Sequence, residues 1–212
     1  MTRLRHGRAS ARRQRYDQTK RAADAVVAGL VLLLSAPIQG VVALVVWRDL
    51  GRPIIFRQTR PGKDCKPFGL IKFRTMKHKA GELSNDADRL TPAGRFLRET
   101  SLDELPELWN VLRGDMSLVG PRPLLMQYLG RYSPVQARRH EVRPGLTGLA
   151  QVMGRNDASW DKRLRLDVEY VEKRCWRLDL WIIAMTFRAL VRREGITARG
   201  HATMPEFTGV ES

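Results

Sequence analysis

The sequence predicts an α-rich α+β fold: a monotopic membrane protein with a re-entrant kinked helix, a small β-hairpin and interfacial amphipathic helices around a compact domain. Three observations predict it. Ala25 to Trp47 is a run without a formal charge, with Pro37 near its middle and cations on both sides. Two short strand-like segments follow, separated by Pro61-Gly62-Lys63-Asp64. Apolar residues then recur at helical spacing among charges through the last third of the chain. The expected divisions are a basic arm over 1–15, the membrane helix over 16–48, a cytosolic-facing domain over 49–195 and a C-terminal tail over 196–212.

As one straight helix the apolar run would rise roughly 35 Å, enough to cross a hydrocarbon core of about 30 Å. Proline removes a backbone donor and clashes with the preceding turn, so a kink is expected at Pro37. Each half would then reach only about 15–18 Å. Arg3, Arg5, Arg8, Arg12, Arg13, Arg15, Lys20 and Arg21 precede the run, against Asp17. Arg48, Arg52, Arg57, Arg60 and Lys63 follow it. Positive charge is retained on the cytoplasmic side, so a helix that enters and leaves by one leaflet satisfies both ends. A spanning signal-anchor and a buried core helix are the alternatives. A cleavable signal peptide is not expected, because the run starts late and no small-residue cleavage site follows it.

The arm through Arg15 is expected to be disordered or lipid-associated. Asp49 to Pro53 reads as a turn, Ile54 to Gln58 as a strand and Phe68 to Met76 as its hairpin partner. Lys77 to Asp88 is helix-compatible. Thr91 caps a short helix with Pro92 at its first position. A further helix is expected near Pro106 to Leu112, a mostly helical stretch over Leu124 to His140, and a turn-rich loop at Pro144 to Gly148. Trp160 to Arg174 and Leu178 to Arg193 read as helices. The second suits the lipid interface, with Trp181 and three arginines at its end, or equally a core-facing helix with cations near its C-terminus.

The 212 residues carry 38 Lys+Arg against 22 Asp+Glu, a net charge of +16. Such a balance suits nucleic acid, anionic lipid or phosphate. Beside a membrane segment the last two are favoured, and no nucleic-acid motif or aromatic-interleaved basic stretch is present. Cys65 and Cys175 stand far apart, which argues against a disulfide scaffold. His6, His78, His140 and His201 form no zinc motif.

The densest polar information is Ser101-Leu102-Asp103-Glu104-Leu105-Pro106-Glu107-Leu108-Trp109-Asn110. Pro106 suits a first helical position, which leaves Asp103 and Glu104 approaching a helix N-terminus that favours ionised carboxylates. Adjacent carboxylates can divide labour, one attacking phosphorus and the other holding Mg²⁺. Ser101 with Glu104 also matches a capping box, so a structural role stays open. Arg122 lies between Pro121 and Pro123, which restrict its backbone and preorganise a guanidinium suited to phosphate. Arg143-Pro144-Gly145 repeats the theme, with glycine amides able to approach a diphosphate. Either loop alone is also an ordinary turn.

Taken in order, these segments resemble the bacterial sugar transferases, monotopic polyprenyl-phosphate phosphoglycosyl transferases that start assembly of membrane-linked glycans. Lys20 to Asp24, Pro53 to Gln58, Lys72 to Met76, Leu102 to Asn110, Val119 to Pro123, Arg143 to Gly148, Gly154 to Asn156 and Leu166 to Val171 all fit. The likeness runs from about Tyr16 to Gly195. It implies that Asp103 attacks the sugar-linked phosphate of a UDP-sugar, that UMP leaves, and that a polyprenyl (undecaprenyl) phosphate then takes the phosphosugar from Asp103. It also implies Mg²⁺ on Glu104, with Asp103 as a second ligand, and phosphate recognition by Arg122. Lys72, Arg74, Arg143, Gly145, Arg155 and Asp167 are further candidates for substrate contact. Lys72 and Arg74 could instead form a solvated strand face, and Asp167 a helix-surface charge. The implied setting is the cytoplasmic face of a bacterial inner membrane, with anionic headgroups and downstream glycosyltransferases as further partners. The form expected is the minimal one, without the N-terminal transmembrane bundle of larger relatives. A non-catalytic scaffold for glycan assembly and direct attack by the acceptor are the rival readings. The sugar is not legible. The family's Ser-Pro pair at the kink is replaced by Ser35-Ala36-Pro37, and Thr59 stands where a Glu is frequent.

Overall fold

The computed structural model describes residues 2–77, 86–154, 159–192 and 206–209. Helix α1 (Thr2–Leu50) runs through the basic arm and the apolar segment with Pro37 inside it. The helix continues through Pro37, and the arm is helical rather than disordered. Ser35 supplies the polar contact at the proline despite standing one place off. Its Oγ donates to the Val31 carbonyl (2.6 Å), and Gln39 Nε2 donates back to Ser35 Oγ (2.9 Å). Such back-bonding to the previous turn favours a bend beside a missing donor.

One stripe of α1 is covered by the rest of the chain. Tyr16, Lys20, Asp24, Ala28, Ser35, Val42 and Val46 are buried, with Leu32, Gln39 and Leu50 half-buried between them. Their spacing alternates between three and four, as one helix face requires, and the stripe continues past Pro37. Ala28 and Leu32 pack with Leu70, Leu108, Val111 and Met116, whereas Val42 and Val46 pack with Phe73 and Leu97. The opposite face is apolar and bare: Leu33 is 72% and Leu34 77% exposed. Among the described residues α1 alone is long and apolar enough to cross a membrane.

The polar upper part of α1 is fixed by a buried network. Lys20 Nζ lies 2.8 Å from Asp179 and 3.3 Å from Asp24. Tyr16 donates to Asp179 (2.7 Å), Tyr170 donates to the other oxygen of the same carboxylate (2.9 Å), and Ser117 donates to Asp24 (2.6 Å). Each buried charge thus has an opposite charge or a hydroxyl donor, as burial demands.

Strands β1 (Ile55–Pro61) and β2 (Pro67–Phe73) form the expected antiparallel hairpin, with Ile55 opposite Phe73 and Pro61 opposite Pro67. After α2 (Asp86–Arg89) comes α3 (Pro92–Glu99), where Thr91 Oγ1 accepts from the Gly94 amide and Pro92 opens the helix as anticipated. Helix α4 (Glu107–Arg113) ends on Gly114 in the left-handed region (φ 93°). The Arg-Pro loops hold a surprise: β3 (Ser117–Val119) and β4 (Gly145–Thr147) pair in parallel, where a loop was expected over 144–148. Three-residue strands carry too little alternation to be seen in sequence.

The stretch over Leu124 to His140 is mostly helical as expected, but in pieces: a 3₁₀ turn (Met126–Arg131), α5 (Pro134–Ala137) and a second 3₁₀ turn (Arg138–Glu141). Pro134 interrupts any continuous ladder, and a Ser133–Gln136 capping box restarts the chain there. Helices α6 (Leu149–Gly154), α7 (Trp160–Lys173) and α8 (Trp176–Arg192) complete the domain. On α8, Ile182 is fully buried while Leu180, Phe187 and Val191 are exposed, a second bare apolar face. Phe207, from the stretch read as a tail, is buried among Tyr128, Tyr132 and Trp160.

Glycines make the β3–β4 contact possible. A Cβ on Gly145 would lie 2.1 Å from the Gly120 amide nitrogen, and one on Gly148 would lie 2.2 Å from the Gly120 oxygen. Backbone cannot yield there without parting the strands. Gly145→Ala is expected to cost at least the upper part of about 1–3 kcal/mol for an overpacked core site, read as a lowered denaturation midpoint; an unchanged midpoint would show that the strands separate freely.

Candidate active site

The chain reaches Asp103 through an unusual turn. Ser101 adopts the left-handed region (φ 55°), and Leu102–Glu104 form a 3₁₀ turn. Ser101 makes no side-chain cap hydrogen bond, so the capping-box alternative is not realised. Pro106 stands as N-cap, one place before the first residue of α4. Asp103 is 3% exposed, and Glu107, one helical turn on, is equally buried. Inside α4, Asn110 ties the site to the hairpin: its amide donates to the Gly69 carbonyl (2.8 Å) and accepts from the Ile71 amide (3.2 Å).

Four predicted residues meet here: Asp103, Glu104, Lys72 and Arg122. Arg122 Nη2 donates to Glu104 Oε1, with the side chains 44% and 20% exposed, so the pair is open to solvent. Burial would raise Glu104, but the Arg122 charge and hydrogen bond, helped by Lys72 and Arg98, hold it below the usual carboxylate range. Burial and then the neighbouring Glu104 push Asp103 up to about 6, against the pull of Lys72, Arg98 and Arg122. The same two causes push Glu107 up to about 8. At neutral pH Asp103 is therefore mostly ionised and Glu107 mostly protonated. Burial also draws Lys72 below the ordinary lysine value, opposed by Glu104. Lys72 Nζ lies 5.8 Å from the Phe56 ring centre.

The remaining candidates are placed elsewhere. Arg74 caps α1: its Nη2 donates to the Leu50 and Gly51 carbonyls, the latter at 2.9 Å. Arg143 Nε donates to the Gly114 carbonyl (2.8 Å), at the far end of α4. Gly145 has its backbone in β4. Arg155 lies outside the described residues. Asp167 is not a surface charge but is buried against Arg139, with Arg139 Nη2 2.7 Å away. Burial raises Asp167 more than the Arg139 charge lowers it. The same Arg139 Nη2 donates to the Arg122 carbonyl (2.7 Å), so Asp167 acts on the site through Arg139 and the backbone of Arg122.

Sequence reasoning assigned no role to Glu107, Arg60 or Arg139. Glu107 was detectable, since it stands four residues beyond Asp103 on the approach to a helix. Arg60 Nη1 donates to the Pro123 carbonyl (3.3 Å) and its Nη2 to Gln58 (2.7 Å). Arg139 carried no local signal. Together Arg60 and Arg139 grip both carbonyls of the Arg122-Pro123 step, which has only one amide to offer.

A Mg²⁺ ion fits this donor set. Magnesium takes one or two protein carboxylates and completes its shell with substrate phosphates and water. Asp103 and Glu104 provide two adjacent hard oxygen donors. Among the described residues no group of three or more His, Cys, Asp or Glu forms a self-sufficient cage.

Asp167→Asn removes one partner of a buried pair and is expected to cost about 3–5 kcal/mol, measured by denaturant unfolding in detergent. A variant of wild-type stability with only a raised KM would return Asp167 to the substrate surface.

The family model described as bacterial sugar transferase matches residues 15–193. An uncharacterized sugar transferase of Bacillus subtilis, EpsL, is 49% identical over 193 residues, covering 90% of this chain and 96% of its own. A UDP-glucose:undecaprenyl-phosphate glucose-1-phosphate transferase of Caulobacter vibrioides is 41% identical, over 82% of this chain and 70% of its own. A protein of the same name from Escherichia coli is 40% identical, over 82% of this chain but 40% of its own length.

Proposed function

The chain belongs to the bacterial sugar transferase family, and from that premise we propose that it moves a sugar 1-phosphate from a UDP-sugar to a polyprenyl phosphate, releasing UMP. The observation that carries this is the buried, ionisable Asp103 set beside Glu104, Lys72 and Arg122. The relatives from Caulobacter and Escherichia coli are named for such a reaction with UDP-glucose and undecaprenyl phosphate.

Asp103 is the nucleophile. Its carboxylate oxygen forms a bond to the sugar-linked phosphorus while the bond from that phosphorus to the bridging oxygen breaks, and UMP departs with the electron pair. In the second half a polyprenyl phosphate oxygen attacks the same phosphorus and the Asp103 carboxylate leaves, giving polyprenyl-diphosphate-sugar. Arg122 gains a phosphate oxygen at the expense of its contact with Glu104, and Lys72 balances charge on the transferred group. Protonated Glu107 donates a proton toward an oxygen instead of repelling it. Glu104, with Asp103, would hold Mg²⁺, which would supply further charge neutralisation at the diphosphate.

The site works at the cytoplasmic face of the inner membrane, on a monotopic chain whose α1 does not pass through to the far side. Support comes from the stripe on α1: Tyr16 is bonded to Asp179 near one end and Leu50 to Arg74 at the other, so both ends are held by one domain.

Two outcomes are expected. Asp103→Asn lowers transfer of labelled sugar phosphate by about 10³-fold or more with its folding intact, and mass spectrometry of the wild type with UDP-sugar alone finds a phosphosugar adduct on Asp103. Transfer close to wild type in the variant would sink the nucleophile; no adduct under turnover conditions would favour direct attack. With Cys65 and Cys175 replaced by Ser, cysteines at Gln14 and Lys66 should be labelled from the same side of sealed inverted vesicles. Labelling from opposite sides means a spanning helix.

A further inference from the structure

A second charged site lies away from Asp103. A cavity of about 50 Å³ opens between the first turns of the docked part of α1, β3 and the end of α7. On the same scale one water needs about 10–15 Å³, so a tetrahedral oxyanion has room. Lys20, Arg21, Lys63, Arg143 and Arg174 line it, with Asp17 and Asp24 as the acids. None of Asp103, Glu104, Lys72 and Arg122 does. The α4 helix separates the two places, with Glu107 at one end and Gly114 at the other, about 10 Å of rise.

The cations are not balanced. Arg174 is paired with Asp17, and Lys20 with Asp24 and Asp179. Among the described residues no carboxylate pairs with Arg21, Arg143 or Lys63. Arg21 donates to the Val111 and Leu112 carbonyls (2.7 and 2.8 Å), and Arg143 to that of Gly114. Those carbonyls close the C-terminus of α4, whose dipole offers about half a negative charge. Two half-buried guanidiniums gathered there exceed it, and the exposed Lys63 adds a third cation. Capping α4 therefore explains where the guanidiniums point and leaves their charge unmet.

We propose that this cavity binds a phosphate group, carried by a membrane lipid headgroup or free in solution. Arg21, Arg143 and Lys63 supply the charge and Ser117 the neutral wall. Position favours access from the membrane, since Arg21 stands four residues before the apolar run begins at Ala25. The lipid source alone rests on the membrane reading of α1; the anion site does not.

The test uses the full chain. In neutral detergent, inorganic phosphate should raise the wild-type thermal midpoint, and Lys63→Gln/Arg143→Gln should need at least tenfold more phosphate for the same rise. In parallel, native mass spectrometry should find phosphatidylglycerol retained on wild type released from nanodiscs of that lipid. The double variant should lose it, and the phosphate-free digalactosyldiacylglycerol should not be retained. Phosphate stabilisation without lipid retention assigns the site to the free anion; retention without stabilisation assigns it to the headgroup. The absence of both effects overturns the proposal, as does an equal loss in Arg57→Gln, which removes a cation from exposed β1. If the double variant does not fold, Lys63→Glu on the rim is read the same way. UMP release is followed in the same samples, so that a chain that binds phosphate yet releases no UMP refutes the transferase reading and leaves this site standing.

Discussion

Everything in this molecule hangs on the docking of one stripe of α1. The covered residues run from Tyr16 to Leu50, a distance of about 51 Å along a straight helix. Over most of it the contact is apolar, and the bilayer would solvate Ala28, Val42 or Val46 about as well as the domain does. The polar anchors decide the matter. Lys20, Asp24 and Asp179 share one buried cluster with Tyr16, Tyr170 and Ser117. Pulling α1 away would leave the buried Asp179 without its cation, at a cost of several kcal/mol. At the other end Arg74 holds the Leu50 and Gly51 carbonyls, which α1 itself leaves without amide partners. A helix fixed at both ends along one domain presents its remaining face as a single apolar surface, and Leu33 and Leu34 lie on it.

That docking reaches the Asp103, Glu104 and Glu107 carboxylates through α4. Its N-terminal approach carries Asp103, Glu104 and Glu107, and its C-terminal carbonyls are held by Arg21 from α1 and Arg143 from before β4. Asn110 in between binds the hairpin that bears Lys72. A seven-residue helix has little stability of its own, so these outside contacts define its position. The position of Asp103 relative to the apolar face of α1 is thereby set by side chains.

The parts of this arrangement differ in how far sequence discloses them. The hairpin, the Thr91-Pro92 helix start and α4 are written in local signals of capping, turn chemistry and periodicity, and they stand where those signals put them. Asp103, Glu104 and Arg122 stand out by residue chemistry with an ordinary structural role left open, and Lys72 joins them only because several motifs match a family in order. Arg139 and Asp167 show the limit. They are 28 positions apart and form their pair by tertiary packing, so Asp167 reads from sequence as a surface charge. The β3–β4 pair failed for another reason: three residues cannot display a period of two, and Gly120, Gly145 and Gly148 read as turn formers when their task is close backbone approach. At Pro37 the covered stripe continues on either side, so α1 carries one buried face past the proline.

Charge is distributed in this chain by the same logic. A net +16 on a membrane protein reads at first as headgroup attraction. Yet many of the arginines are engaged inside the fold, and most of those bind carbonyls: Arg21 and Arg143 at the end of α4, Arg74 at the end of α1, Arg60 and Arg139 along the Arg122-Pro123 step. A guanidinium has five donors in a fixed fork and can satisfy two acceptors while its charge still faces outward. Proline-rich and helix-ending backbone is short of amides, and arginine supplies the missing donors. The consequence is a protein whose structural bonding itself generates positive potential. The reaction proposed above, with two phosphorylated substrates at a lipid surface, would use that potential, and here it comes from the bonding that holds the backbone together.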